Sequence, residues 1–187
     1  MTQETRTALL DAAEQAARAR GFDGFSYADL AEAVGIRKAS IHYHFPSKAD
    51  LSAALMDRYH AVMQQACADI DAQNDVSAGR LRALIALYRA ALNEGTTMCL
   101  CVVFVTGRES LSPDVTAKIT AFRAMMTAWL TKVFERAAKD RGIIGVAHPQ
   151  HEARATLALL EGAHIAARAE EDVAQFDEAV ALLQARC

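Results

Sequence analysis

SYADLAEAVGIRKASIHYHFPSK, residues 26–48, decides how this chain folds. Ser26 stands three residues before Asp29, an acidic variant of the box in which a hydroxyl and a carboxylate each accept the other residue's backbone N–H. Leu30, Ala31 and Val34 then recur on one face of a short helix. Gly35 stands where that helix must end in a left-handed residue, which glycine adopts without steric cost. Ile36 tucks back as the turn residue, and a second short helix over 37–44 points Ile41 inward. Pro46 cannot lie inside a helix and pushes Phe45 out of the helical region. Ser47, again three residues before an aspartate, Asp50, opens the next helix. Two short helices joined by a glycine turn, with start and stop signals on both sides, predict a helix-turn-helix.

The polar side chains of this stretch say what it suits. Arg37, Lys38, Ser40, His42, Tyr43, His44 and Lys48 are donors or aromatics, and no acid interrupts residues 36–48. Three formal positive charges thus gather on a chain whose net charge is −3. Arg, Lys, Ser and Tyr fix register on phosphates, while the few side chains that reach the major groove read base edges. A plain solvated hairpin of helices shares the helix–Gly–helix pattern. The double capping, the proline stop and the acid-free face favour duplex DNA.

Residues 22–51, FDGFSYADLAEAVGIRKASIHYHFPSKADL, resemble the DNA-binding domain of the TetR family of bacterial transcriptional regulators. The resemblance is carried by Gly24-Phe25, Ser26, Gly35-Ile36 and the run Tyr43-His44-Phe45-Pro46-Ser47-Lys48. Many members have Tyr-Tyr-His-Phe, and here His42 replaces the first tyrosine. The resemblance covers roughly the first third of the chain, and the remainder matches only in helical layout and length. It implies an all-α protein of about nine helices: a three-helix reading head at 1–46 and a ligand-binding and dimerisation body at 47–187, linked by the fourth helix. It also implies a regulator, most simply a repressor, and no enzyme. Arg37, Lys38, Ala39 and His42 are the expected base readers, and Ser26, Tyr27, Ser40, Tyr43, His44 and Lys48 the expected phosphate contacts.

Composition agrees with that class. At 187 residues, with 52% hydrophobic and 6% aromatic side chains, the chain can bury a helical core. No uncharged apolar run reaches membrane-spanning length, and MTQETR has no signal-peptide core, so a cytoplasmic protein with reduced thiols is expected. Residues 1–48 hold six basic and six acidic residues; residues 49–187 hold fourteen and seventeen. An acidic body confines nucleic-acid contact to one small face.

Along the chain, a first helix over 2–20 is stopped by Gly21, and Phe22 and Phe25 supply bulk beneath the head. The helix from Ser47 runs to about Asp71, and Asn74-Asp75 ends it. Its N-terminus and Lys48 favour phosphate. Ser77 opens a fifth helix, and Gly95 closes it. In the segment TTMCLCVVFVTGRE, residues 96–109, the apolar run 98–105 is too short to span a bilayer. It predicts a short buried helix, because a strand would have no partner. Ser112-Pro113 starts a long seventh helix ending at Arg141-Gly142. RGIIGVAHP is a loop, Pro149 starts an eighth helix, and Asp172 caps a ninth. The last two helices carry surplus apolar surface, and in the family they pair with their copies as a dimer interface. A dimer also follows from the short reading helix, since two heads about 34–36 Å apart read a pseudo-palindrome.

The body suits an adaptable apolar pocket with polar tips. Its expected lining is Tyr59, Met63, Tyr88, Cys99, Phe104, Phe122, Met126, Trp129, Leu160 and His164, although any one of these is equally at home as core. The expected partners are operator DNA, a small and mostly apolar effector, and a second copy of the chain. Cys99-Leu100-Cys101 places its thiols about 200° apart on a helix, which argues against a metal pair, while either thiol alone suits an oxidant- or electrophile-sensing alternative. His42-x-His44 shares a side only in a strand, so DNA contact outweighs metal binding. No cofactor motif, metal set or nucleophile–base constellation is expected. An enzyme or carrier with an incidental helix-turn-helix is the competing class.

Overall fold

The computed structural model describes residues 3–107 and 111–187. Thr2, Arg108 and Glu109, named in the expected first helix and in the apolar segment, lie outside the described residues. Nine helices follow among the described residues: α1 (Gln3–Arg20), α2 (Tyr27–Val34), α3 (Lys38–His44), α4 (Lys48–Gln73), α5 (Ser77–Ala90), α6 (Leu100–Thr106), α7 (Pro113–Asp140), α8 (Pro149–Glu170) and α9 (Ala174–Gln184). The fold is all-α, and no helix among the described residues is long and apolar enough to cross a membrane.

The chain forms two compact units, Met1–His60 with Leu100–Thr120, and Ala61–Cys99 with Ala121–Cys187. In the first, α1 packs on α2 and α6, and α2 packs on α3. Leu9, Ala13, Leu30, Ile41, Phe45 and Leu51 are each no more than 2% exposed and form its core. The head is small, so each of these counts: Phe45→Ala leaves a cavity that typically costs about 3–5 kcal/mol. Phe104 of α6 meets Phe22 edge-on, with ring centroids 5.5 Å apart. In the second unit, α9 packs on α8 and α5. Its core includes Leu84, Leu130, Phe134, Leu160, Phe176 and Val180.

The capping signals act as the sequence predicts at α2. Ser26 accepts the Asp29 N–H at 3.4 Å, and the Asp29 carboxylate accepts the Ser26 N–H at 2.6 Å. Gly35 has φ +73°, and the Ile36 N–H reaches back to the Ala31 carbonyl at 3.0 Å, a closure that only a left-handed residue allows. The 98–105 run supplies most of the short helix α6, which is buried from Leu100 to Phe104 and exposed at Val105 and Thr106.

Three helix ends differ from expectation; at α9 Val173, not Asp172, holds the cap position, although the Asp172 carboxylate accepts the Ala174 N–H at 2.9 Å. Helix α5 stops at Ala90, well before Gly95, because Asn93, Glu94 and Gly95 all take positive φ in the turn that follows. A Cβ on Gly95 would stand 2.8 Å from the Asp172 nitrogen and the Glu171 carbonyl carbon, so the turn closes directly against the α8–α9 corner. Ser77 does not cap α5 itself. Val76 holds the cap position, and the Asp140 carboxylate accepts the Ser77 N–H at 2.8 Å and its hydroxyl at 2.7 Å.

Candidate nucleic-acid interface

Helix α3 builds the candidate interface. Its one buried residue is Ile41, which anchors it to the core. Arg37, Lys38, Ala39, His42 and Tyr43 are exposed and Ser40 is half-buried, so the helical period sorts these side chains outward and the anchor inward. Arg37 is the extended residue before the first helical turn. Tyr43 is 73% exposed, the most open aromatic of the head.

The corner between α3 and α4 is held by backbone acceptors. Phe45 is extended, at φ −138° and ψ 94°. Its carbonyl accepts the Tyr27 hydroxyl at 2.9 Å. Burial, and then the negative charge of Asp50, push the Tyr27 phenol up to about 12. The next carbonyl, of Pro46, faces His42 Nδ1 at 3.1 Å. The Arg6 guanidinium of α1 sits 5.1 Å from the Phe45 ring centre, a cation–π contact that ties α1 to the same corner.

Lys48 turns inward. Its Nζ donates to the Phe25 carbonyl at 3.0 Å and lies 4.7 and 4.5 Å from the ring centres of Phe22 and Phe25. Desolvation lowers its pKa, against the raising effect of Asp23. Tyr27 likewise spends its single donor inside the head. In this conformation both brace α3 and α4 instead of facing a phosphate. Ser26 is committed as the α2 cap. His44 packs against Tyr43 at 5.3 Å, and its Nε2 is buried without a hydrogen-bond partner. The N-terminus of α4 is occupied as well: the Asp50 carboxylate accepts the Ser47 N–H at 2.9 Å and its hydroxyl at 2.7 Å. That self-capping reduces the positive end expected there to attract phosphate.

The residues expected around a ligand are all buried, and they fall in both units. Tyr59, under the Arg18 guanidinium at 5.4 Å, and Phe104 belong to the first. Met63, Tyr88, Cys99, Phe122, Met126, Trp129, Leu160 and His164 belong to the second. There Tyr88, Cys99 and His164 come together. His164 Nδ1 accepts the Cys99 N–H at 2.9 Å, and Nε2 lies 3.0 Å from the Tyr88 carbonyl. A carbonyl only accepts, so Nε2 carries the hydrogen and the ring is neutral. With both nitrogens bonded to backbone and its ring edge-on to Tyr88 and Phe176, His164 works as a structural tie of α8. Trp129 Nε1 donates to Asp71 at 3.1 Å. Cys67 and Met126 bring their sulfurs to 3.9 Å, and burial, then Asp71, push the Cys67 thiol up to about 12. Cys99 and Cys101 are equally buried.

A solvent-open cleft of about 500 Å³ lies within the first unit, between α1, α4 and the start of α7. Arg6, Arg58 and Lys118 line it together with Asp50, Asp57 and Asp114. Arg58 pairs with Asp11 and Glu14, and Lys118 with Asp57, so its cations are largely neutralised. No group of three or more metal-ligating side chains occurs among the described residues.

Sequence reasoning missed the carbonyls of Phe45 and Pro46 as anchors for Tyr27 and His42, and nothing in the residue pattern marks them. The Asp140 cap of α5 was equally invisible, because 63 residues separate it from Ser77.

Residues 9–55 match the family described as bacterial regulatory proteins, tetR family. The transcriptional regulator TtgR of Pseudomonas putida is 43% identical over 58 residues, 31% of this chain and 28% of TtgR, so the match spans less than a third of that relative. Along nearly the whole chain the fold is similar to a TetR-family transcriptional regulator from Agrobacterium tumefaciens: TM-score 0.93, 29% identity, 98% of this chain and 97% of that one. It also resembles AibR, solved with isovaleryl coenzyme A and operator DNA, at TM-score 0.69 and 20% identity over 86% of each chain. The head therefore matches the tetR-family model over residues 9–55, and the fold of nine helices among the described residues, an N-terminal helix-turn-helix followed by a helical C-terminal part, is similar to that of a TetR-family regulator along nearly the whole chain.

Proposed function

We propose that this protein is a dimeric, DNA-binding transcriptional regulator, most simply a repressor released from a pseudo-palindromic operator by a small ligand. One observation carries the reading: the outward face of α3 presents Arg37, Lys38, Ala39, His42 and Tyr43 to solvent with no acid among them, on a core that fixes the helix through Ile41 and Phe45. A donor-rich helix on a rigid head is what major-groove recognition requires. Arg37, Lys38, Ala39 and His42 read bases. Ser40, Tyr43 and His44 contact phosphate, and Ser26, Tyr27 and Lys48 hold the head in shape around them. Residues 1–46 act as the reading head and 47–187 as the effector and dimer body, and DNA as the partner makes the cytoplasm the place of action.

In this reading the effector occupies an apolar cavity within the second unit, lined from the set Met63, Phe122, Met126, Trp129 and Leu160, with Tyr88, Cys99 and His164 in supporting positions. A ligand that prefers the non-binding state by about 100-fold shifts the equilibrium by about 2.7 kcal/mol. That AibR carries an acyl coenzyme A and its operator in one structure supports pairing the two partners on this fold. Two copies join through α8 and α9, where Ile165 and Leu182 are 49% and 83% exposed, an arrangement that leaves apolar surface in need of cover.

Genomic footprinting with the purified protein tests the reading directly. Protected sites with two-fold symmetry, bound more weakly as salt rises, are expected. Absence of any duplex binding at low ionic strength would end it.

A further inference from the structure

One side chain on the outward face of α3 has polar atoms with separable roles. His42 Nδ1 lies 3.1 Å from the Pro46 carbonyl oxygen. That oxygen can only accept, so Nδ1 carries the hydrogen. The imidazole also packs on Tyr27, with ring centroids 5.0 Å apart and planes at 58°. Tyr27 in turn is pinned through its hydroxyl to the Phe45 carbonyl. The ring is therefore held by contacts from α2 and from the α3–α4 corner. His42 itself is exposed, and Nε2 lies on the ring edge away from Pro46. In the neutral imidazole, with Nδ1 protonated, Nε2 is an acceptor and nothing else.

We propose that His42 reads a base amino group through Nε2, the N6 amino of adenine or the N4 amino of cytosine, at one position of each half-site. Those are the two hydrogen-bond donors that the major groove offers. Lys38 lies one turn earlier on the same face and can only donate, so it selects the opposite pattern, the O6 and N7 acceptors of guanine. Two neighbouring side chains with opposite hydrogen-bond character then specify neighbouring bases of opposite character. The proposal rests on the DNA-binding reading above and adds what one side chain recognises.

The test uses the full-length protein. Selection from a randomised duplex pool defines the half-site. In the selected duplex each adenine is then replaced in turn by purine, and each cytosine by pyrimidin-2-one, so that hydrogen takes the place of a single amino group. Affinities are read by fluorescence anisotropy. At one position per half-site, wild type should lose about fivefold, the worth of one net hydrogen bond. His42→Phe, which keeps a ring on Tyr27, should lose nothing there while responding normally elsewhere. His42→Leu serves as a second variant, and thermal melting checks that each is folded. If no single amino deletion costs wild type affinity, or if every deletion costs wild type and both variants equally, the proposal is overturned. So is it if selection repeated with His42→Phe loses its preference at a guanine instead of an adenine or cytosine, because the ring would then be donating. Failure of wild type to hold any duplex at low ionic strength is a different result, and it removes the DNA-binding reading itself.

Discussion

Tyr27 shows how one residue can serve a site without touching what the site binds. Its phenol is buried, donates to the Phe45 carbonyl, and stacks on His42. Tyr27→Phe leaves that buried carbonyl unpaired and should cost about 1 kcal/mol of stability, read as a lower midpoint in urea. The same environment has a pH signature. The phenol's folded pKa is raised to about 12, above its ordinary value of about 10. Its contribution is therefore intact below about 10 and is lost as pH rises through 12. One of the tyrosines should titrate late in ultraviolet absorbance, together with alkaline unfolding, and that late phase should vanish in Tyr27→Phe. Lys48 belongs to the same class: its ammonium is spent on Phe25 and two rings. Lys38, exposed on α3, is spent on nothing that stiffens the head. Lys38→Ala should flatten the slope of log affinity against log salt by about one unit. Lys48→Met should leave that slope nearly unchanged while lowering the thermal midpoint.

At the scale of elements, the helix ends divide into two kinds. The α2 ends are local: Ser26 and Asp29 close one, Gly35 and Ile36 the other. Ser26→Ala should therefore cost about 1 kcal/mol wherever it is measured. The start of α5 is remote, capped by Asp140 from the end of α7, and the same carboxylate accepts the Gly142 N–H at 2.8 Å. Desolvation raises the Asp140 pKa, but bonds from the Ser77 hydroxyl, Gly142 and the Ser77 N–H, with the charge of Arg136, outweigh it and leave the pKa below the ordinary carboxylate value. A depressed carboxylate contributes stability above its unfolded pKa and loses it as pH falls through the folded one. Asp140→Ala should cost about 1–2 kcal/mol at neutral pH, and the gap to wild type should close in acid. A gap that stays constant as the solution is acidified would show that packing, not charge, makes the contribution.

For the whole molecule the proposed function requires two copies of α3 to be held at one spacing. Leu182 on α9 and Ile165 on α8 are the apolar side chains most open to solvent on those helices, while Val180 and Leu183 beside Leu182 are buried. The pair lies on surface that the fold of one chain does not use. Leu182→Asp combined with Ile165→Asp should give a folded monomer by sedimentation, with unchanged helicity. That monomer should bind a single half-site weakly and gain nothing from the second. A double variant that remains dimeric would move the interface elsewhere. The proposed effector would act at this same scale, since a ligand can change spacing only through a difference in its affinity for two arrangements of the proposed dimer.

The residue pattern by itself determined the helix-turn-helix, its caps, the buried α6 and the resemblance of the head to the TetR family, because those depend on neighbours three or four positions apart, where backbone geometry and side-chain type suffice. It also determined which side chains of α3 face outward, since helical period alone sorts Ile41 from Lys38, Ala39 and His42. Tertiary structure alone decided what those side chains do with their polar atoms. The inward turn of Lys48, the anchoring of Tyr27 and His42 on the Phe45 and Pro46 carbonyls, the neutral His164 between Cys99 and Tyr88, and the cap that Asp140 lends to α5 all depend on backbone donors and acceptors brought together by packing. Backbone carbonyls are alike in every residue, so no choice of amino acid announces which of them a distant side chain will meet.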